Sequence, residues 1–154
     1  MAIEVVVQYA IASVKLPSKK AIRRWVEAAL QGHREQAQVT IRIVDEEEGA
    51  RLNWRWRKRG RSTNVLAFPC IGLEAIAPEL LGDVVICAPV VEREALGQNK
   101  ASSAHWAHMV IHGTLHLLGF DHIEEREALV MEQLETQILQ RLGYPDPYES
   151  RDSE

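Results

Sequence analysis

From Ala101 to His122 the chain reads ASSAHWAHMVIHGTLHLLGFDH, and no other stretch limits the fold as much. Trp106, Met109, Val110, Leu115 and Leu117 supply apolar partners for a helix from about Ser102 to Leu118. His112 and His116 are four residues apart, so both imidazoles project from one helix face about one turn apart. Gly119 follows three residues after His116 and can take the positive φ that ends a helix, which lets the chain turn back and bring His122 to the same place. Three imidazole nitrogens at about 2.0–2.1 Å would hold one transition-metal ion and leave a fourth tetrahedral position for water, the open arrangement of a hydrolytic zinc site. One Zn2+ per chain, on His112, His116 and His122, is therefore expected. His108, four residues before His112, is expected to be structural or to hold a ligating imidazole in preference to serving as an extra ligand, and Asp121, beside His122, to orient a ligating imidazole or assist proton transfer, although a turn-forming role suits Asp121 equally well.

The spacing HxxxHxxGxxH equals that of the metzincin proteases, but there a glutamate follows the first histidine and acts as base. Here that position is Gly113, which cannot carry a proton, so a zinc peptidase is disfavoured. Inside a helix Gly113 costs about 1 kcal/mol relative to alanine, and close approach of substrate or of neighbouring backbone is the expected compensation.

Around this segment the chain alternates. IEVVVQYA, QVTIRIVD from Gln38, TNVLAFP and GDVVICA have the β-branched, partly alternating character of strands. After Ser18, a candidate cap, Ile22, Trp25, Val26, Ala29 and Leu30 recur at helical spacing. Further helices are expected from about Glu46, from Pro89 to Leu96, and from about Glu124 to Leu142, the last with Ala128, Leu129, Met131, Leu134, Ile138 and Leu139 as its apolar stripe. CIGLEAIAPELL, without a clear period, reads as a connecting loop in preference to a flap. Strands alternating with helices and a helical C-terminal half imply an α+β fold, a small mixed sheet with helices packed on it, in a single domain over residues 1–154.

Cys70 and Cys87 have no CxxC spacing, and Cys87 in GDVVICA suits the core. A reducing cytoplasm is expected, and neither an apolar leader nor a long apolar span points to secretion or a membrane. The net charge of −4 argues against nucleic acid as a partner of the whole surface. Yet RLNWRWRKRGR, from Arg51 to Arg61, carries six cations and no acid. Arg55, Arg57, Lys58, Arg59 and Arg61 suit the phosphates of single-stranded RNA, and Trp54 and Trp56 alternate with them, Trp54 being expected in the core.

LNWRWRKRGRSTNVLAFP, LLGDVVIC and HWAHMVIHGTLHLLGFDH, in this order, together with VTIRIVD and the ending LGYPDPYE, resemble the YbeY family of bacterial rRNA-maturation endoribonucleases over nearly the full chain. The resemblance implies a mixed four-stranded sheet flanked by helices and a zinc-dependent, single-strand-specific endoribonuclease. That activity would serve 16S rRNA 3′-end maturation and ribosome quality control, with rRNA, ribosomal particles and ribosome-associated proteins as partners. It also implies His112, His116 and His122 as ligands and Arg57 as the arginine important for activity. Asn64 stands where many members have Asp, and Ala67 where many have Ser. The attacking group is either a metal-activated water, which is preferred, or the adjacent 2′-OH. A non-catalytic ribosome-assembly factor with a zinc site is the alternative. Glu124 and Glu125 suit a helix N-terminus and are given no catalytic role.

Overall fold

The computed structural model describes residues 3–12, 15–57, 63–120 and 124–148. Strand β1 (Ile3–Tyr9) leads to helix α1 (Lys19–Leu30), β2 (Ala37–Val44), α2 (Glu46–Arg57), β3 (Val65–Pro69), β4 (Leu80–Cys87), α3 (Ala88–Gly97), α4 (Ser102–Leu117) and α5 (Glu125–Arg141). The four strands form one sheet in the order β1-β2-β4-β3. β1, β2 and β4 run parallel and β3 runs antiparallel on the edge beside β4. Parallel neighbours require a crossover, and α1 supplies it between β1 and β2.

The side chains of β4 alternate between two apolar layers. Val84 and Ile86 join a large cluster that also contains Val39, Ile41 and Ile43 of β2 and the buried faces of α1, α4 and α5. Val85 and Cys87 point the other way, into a smaller cluster with Val44, Leu66, Leu52 of α2 and Val90 of α3. The sheet is therefore covered on both faces at β4, which fits its uninterrupted apolar run from Val84 to Cys87. Cys87 takes the core position expected of it.

Helix α1 buries Ile22, Trp25, Val26, Ala29 and Leu30, the five residues its period predicts, and the Ser18 hydroxyl accepts a bond from the Ala21 amide at 3.1 Å. Helix α4 packs against α1, α3, α5, β3 and β4. It is surrounded, so even His105, His108 and Thr114 are buried along it. Gly119 has φ 104° just past its end, as the sequence requires of a helix stop.

Two expectations are corrected. Leu129, placed in the apolar stripe of α5, is 56% exposed, and Glu135 is fully buried on the inner face instead. The face of α5 is set by what α4 offers, which includes imidazoles as well as apolar groups. Gly113 is buried, and the atoms that crowd it belong to side chains of the sheet, not to neighbouring backbone. A Cβ there would lie 2.5 Å from Val84 Cγ1 and 3.2 Å from Val65 Cγ2, so the glycine lets α4 lie directly on the side chains of β3 and β4. The segment between β3 and β4 is a connecting loop closed by its own turns, Ala77 N to Leu73 O at 2.7 Å and Leu80 N to Ala77 O at 3.1 Å. Among the described residues no helix is long and apolar enough to cross a membrane.

Candidate metal centre

His105, His108, His112 and His116 follow one another along a single face of α4, with successive ring centroids 6.2, 6.3 and 4.7 Å apart. His105 and His108 are buried, whereas His112 and His116 are half-buried, so the row runs from the core towards solvent. At its outer end the Nε2 atoms of His112 and His116 face each other at 3.2 Å.

A carboxylate from another helix organises the middle of the row. Glu135 of α5 accepts from His112 Nδ1 on one oxygen; on the other it accepts from His108 Nε2 at 2.8 Å and from the Tyr148 hydroxyl. Tyr148 also lies 3.2 Å from His108 Nε2, and its backbone amide is tied to Asp146 at 2.8 Å. Burial alone would raise the pKa of Glu135, but the hydrogen bonds from His108 and His112, with their charge attraction, outweigh it and hold it at about 2. Burial and the neighbouring Glu135 charge push the Tyr148 phenol upward, so it remains a donor. An ionised carboxylate only accepts, so the ring nitrogens that face it carry their protons. In its neutral form His112 then carries its proton on Nδ1, with Nε2 on the His116 side.

His108, His112 and Glu135 form a candidate metal-binding triad, their donor atoms all within 4.8 Å of one another. Those donors are paired with each other, and beside them the Nε2 atoms of His112 and His116 face each other at 3.2 Å, a second place where two imidazoles can share an ion. His108 meets the His112 ring through the Glu135 carboxylate. His122 and Asp121 lie outside the described residues.

A second polar group lies at the His105 end of the row. Glu94 of α3 accepts from His105 Nε2 at 2.9 Å and from Asn64 Nδ2 at 3.1 and 3.3 Å, while Glu92 accepts from Trp106 Nε1 at 2.7 Å and Ser102 Oγ at 2.8 Å. Burial lowers the pKa of His105 against the opposing bond from Glu94. Asn64, at the entrance to β3, is thereby fastened to the histidine helix.

The basic segment is seen in part. Arg55 is exposed on α2; Arg57 closes that helix, its side chain outside the described residues together with Lys58, Arg59 and Arg61. Trp54, expected in the core, is 58% exposed, because α2 turns Leu52 and Asn53 to the sheet instead. Arg51 has an acid after all, Glu47 one turn back at 3.5 Å, though both are largely exposed and the pair adds little.

Sequence reasoning missed Glu135, Tyr148 and Glu94. Glu135 left a trace, an acid four residues after Met131 and four before Leu139, both buried. Tyr148 and Glu94 left none, since their roles depend on elements meeting in space.

The sequence profile of the family described as "Endoribonuclease YbeY" matches residues 8–143. An endoribonuclease YbeY of Nitrosococcus oceani is 53% identical over 97% of this chain and 99% of its own length. One from Stutzerimonas stutzeri is 56% identical over 86% of this chain and 83% of its own. Among solved structures, the solution structure of TM1509 from Thermotoga maritima superposes with a TM-score of 0.62, covering 91% of this chain and 88% of that one at 24% identity, a likeness of fold.

Proposed function

Because the chain belongs to the endoribonuclease YbeY family and is thus an RNA endonuclease, we propose that it is a zinc-dependent, single-strand-specific member. Its role would be in 16S rRNA 3′-end maturation and ribosome quality control in the cytoplasm, with residues 1–154 as one catalytic domain. The observation that carries the metal dependence is the 3.2 Å between His112 Nε2 and His116 Nε2. Two nitrogens bound at about 2.0–2.1 Å to one tetrahedral zinc stand about 3.3 Å apart. His122, outside the described residues, is the proposed third ligand.

When bound, the ion supplies Lewis acidity to a phosphodiester and makes a water more acidic. The chain's own residues do the rest. Arg57 neutralises charge on the phosphoryl oxygens, and Arg55, Lys58, Arg59 and Arg61 hold the flanking phosphates of rRNA within ribosomal particles, where ribosome-associated proteins would meet it. Trp54, exposed beside Arg55, offers a ring on which an unpaired base can stack. Gly113, packed on Val84, supplies no base, so the peptidase reading gains nothing.

The test is cleavage of a labelled single-stranded RNA by the zinc-loaded protein beside an equally folded His116→Ala variant purified in the same way. Cutting by the parent alone is expected, and it should survive a 2′-deoxy substitution at the cut site if water is the nucleophile. Equal cutting by both, or none by either, would favour an assembly factor that binds RNA without hydrolysing it.

A further inference from the structure

We propose that Glu135 is a positioning residue of the metal centre, a buried carboxylate that fixes the tautomer and orientation of His112 so that its Nε2 stands beside that of His116 before any ion arrives. The proposal rests on reading His112 and His116 as ligands. Which ring nitrogen of a neutral histidine carries the proton is decided by the bond the other nitrogen makes. Here His112 Nδ1 meets Glu135, a residue with no exposed surface and no solvent to share the task.

The carboxylate is itself held against rotation. One oxygen takes His112; the other takes both His108 Nε2 and the Tyr148 hydroxyl, which arrive from α4 and from the segment after α5. That segment is anchored in turn, with Pro147 buried and Asp146 accepting from the Tyr148 amide. The C-terminal residues thereby brace the carboxylate that holds a ligand on α4. A ligand role for Glu135 is the competing assignment, since its oxygens and the imidazoles of His108 and His112 lie close enough to surround an ion. The two differ in what a neutral acceptor does. Glutamine keeps a carbonyl for His112 Nδ1–H but is a poor ligand, whereas methionine fills the space and accepts nothing useful.

The experiment compares wild type with Glu135→Met, Glu135→Gln and Tyr148→Phe, each checked for folding by circular dichroism. Three readouts are taken: the His112 tautomer in the metal-free protein from long-range nitrogen–proton NMR, Zn2+ affinity by chelator competition, and the visible spectrum of the Co2+ form. Wild type should show the proton on Nδ1. Glu135→Met should lose that preference and bind Zn2+ roughly 10–100-fold more weakly, with the Co2+ spectrum retained because the ligands are unchanged. Glu135→Gln should recover most of the affinity. Tyr148→Phe, at a partly exposed ring and so safe for folding, should weaken binding by about two- to tenfold.

Full affinity and an unaltered tautomer in Glu135→Met would overturn the proposal and leave the ligand reading standing. If that variant does not fold, Tyr148→Phe and Glu135→Gln both at wild-type affinity and tautomer, or Glu135→Gln weak with an altered Co2+ spectrum, overturn it equally. The altered spectrum would make Glu135 a ligand. A wild type that binds no Zn2+ removes the ligand reading and the proposal with it.

Discussion

Gly113 sits between two histidines proposed as ligands, and its missing side chain is where α4 touches the sheet. Val84 Cγ1 would stand 2.5 Å from a Cβ at this position, and Val84 is fully buried and β-branched, so it cannot swing aside. Alanine would gain about 1 kcal/mol in helix propensity, but overpacking of this kind costs about 1–3 kcal/mol. Gly113→Ala should therefore be less stable than the parent, and the shift of α4 should also weaken metal binding. Val84→Ala alone should cost about 2 kcal/mol as a cavity. Combined with Gly113→Ala it should cost clearly less than the two changes separately, because each relieves the other. Urea melts of the four proteins in the cycle decide this, and strictly additive costs would mean that the glycine answers to something other than Val84.

At the scale of elements, what could be read in advance depended on whether the surface a helix packs on is purely apolar. Helix α1 lies on one face of the sheet, and its apolar period names its buried residues without error. Helix α5 packs on α4 and α1, and its inner face includes Glu135 and leaves out Leu129, because the partner surface is lined with imidazoles that hydropathy does not register. Trp54 went astray for a similar reason, since composition does not say which side of α2 meets β4. The His112 and His116 pairing and the stop at Gly119 were legible because they are local, set by helical pitch and one backbone angle. Glu94 was not, and it joins α3, α4 and the start of β3. That junction has a pH signature. Burial, seconded by Lys100 and by His108, lowers the pKa of His105 more than Glu94 raises it. The unfolded chain then binds the proton more readily than the folded one. The contribution of the neutral ring is fully present above about pH 6.5 and is lost as pH falls through the lower folded value. His105→Asn should flatten the fall in urea-melt stability of the wild type from pH 7 to pH 5, and an unchanged slope would show that His105 is not what titrates.

For the whole molecule, charge and aromatic surface should separate in one titration with RNA. The chain carries a net charge of −4 although six cations lie between Arg51 and Arg61, so RNA is repelled by most of the surface and attracted by one segment. Each single-strand phosphate neutralised contributes about −0.7 to the slope of log affinity against log salt. The cations of this segment should give a slope of roughly −3 to −4. Replacing Arg55 and Arg57 by alanine should reduce its magnitude by about 1.4. Trp54→Ala removes no charge, so it should leave the slope alone and lower affinity at every salt concentration by about 1–3 kcal/mol, the worth of one stacked base. Its ring is already exposed, so the same variant should melt close to wild type. Fluorescence anisotropy with a short labelled RNA at several salt concentrations measures slope and offset together. A slope that ignores both arginines would place the RNA on another surface. A Trp54→Ala offset near zero would leave the exposed ring without a part in binding and confine recognition to the phosphates.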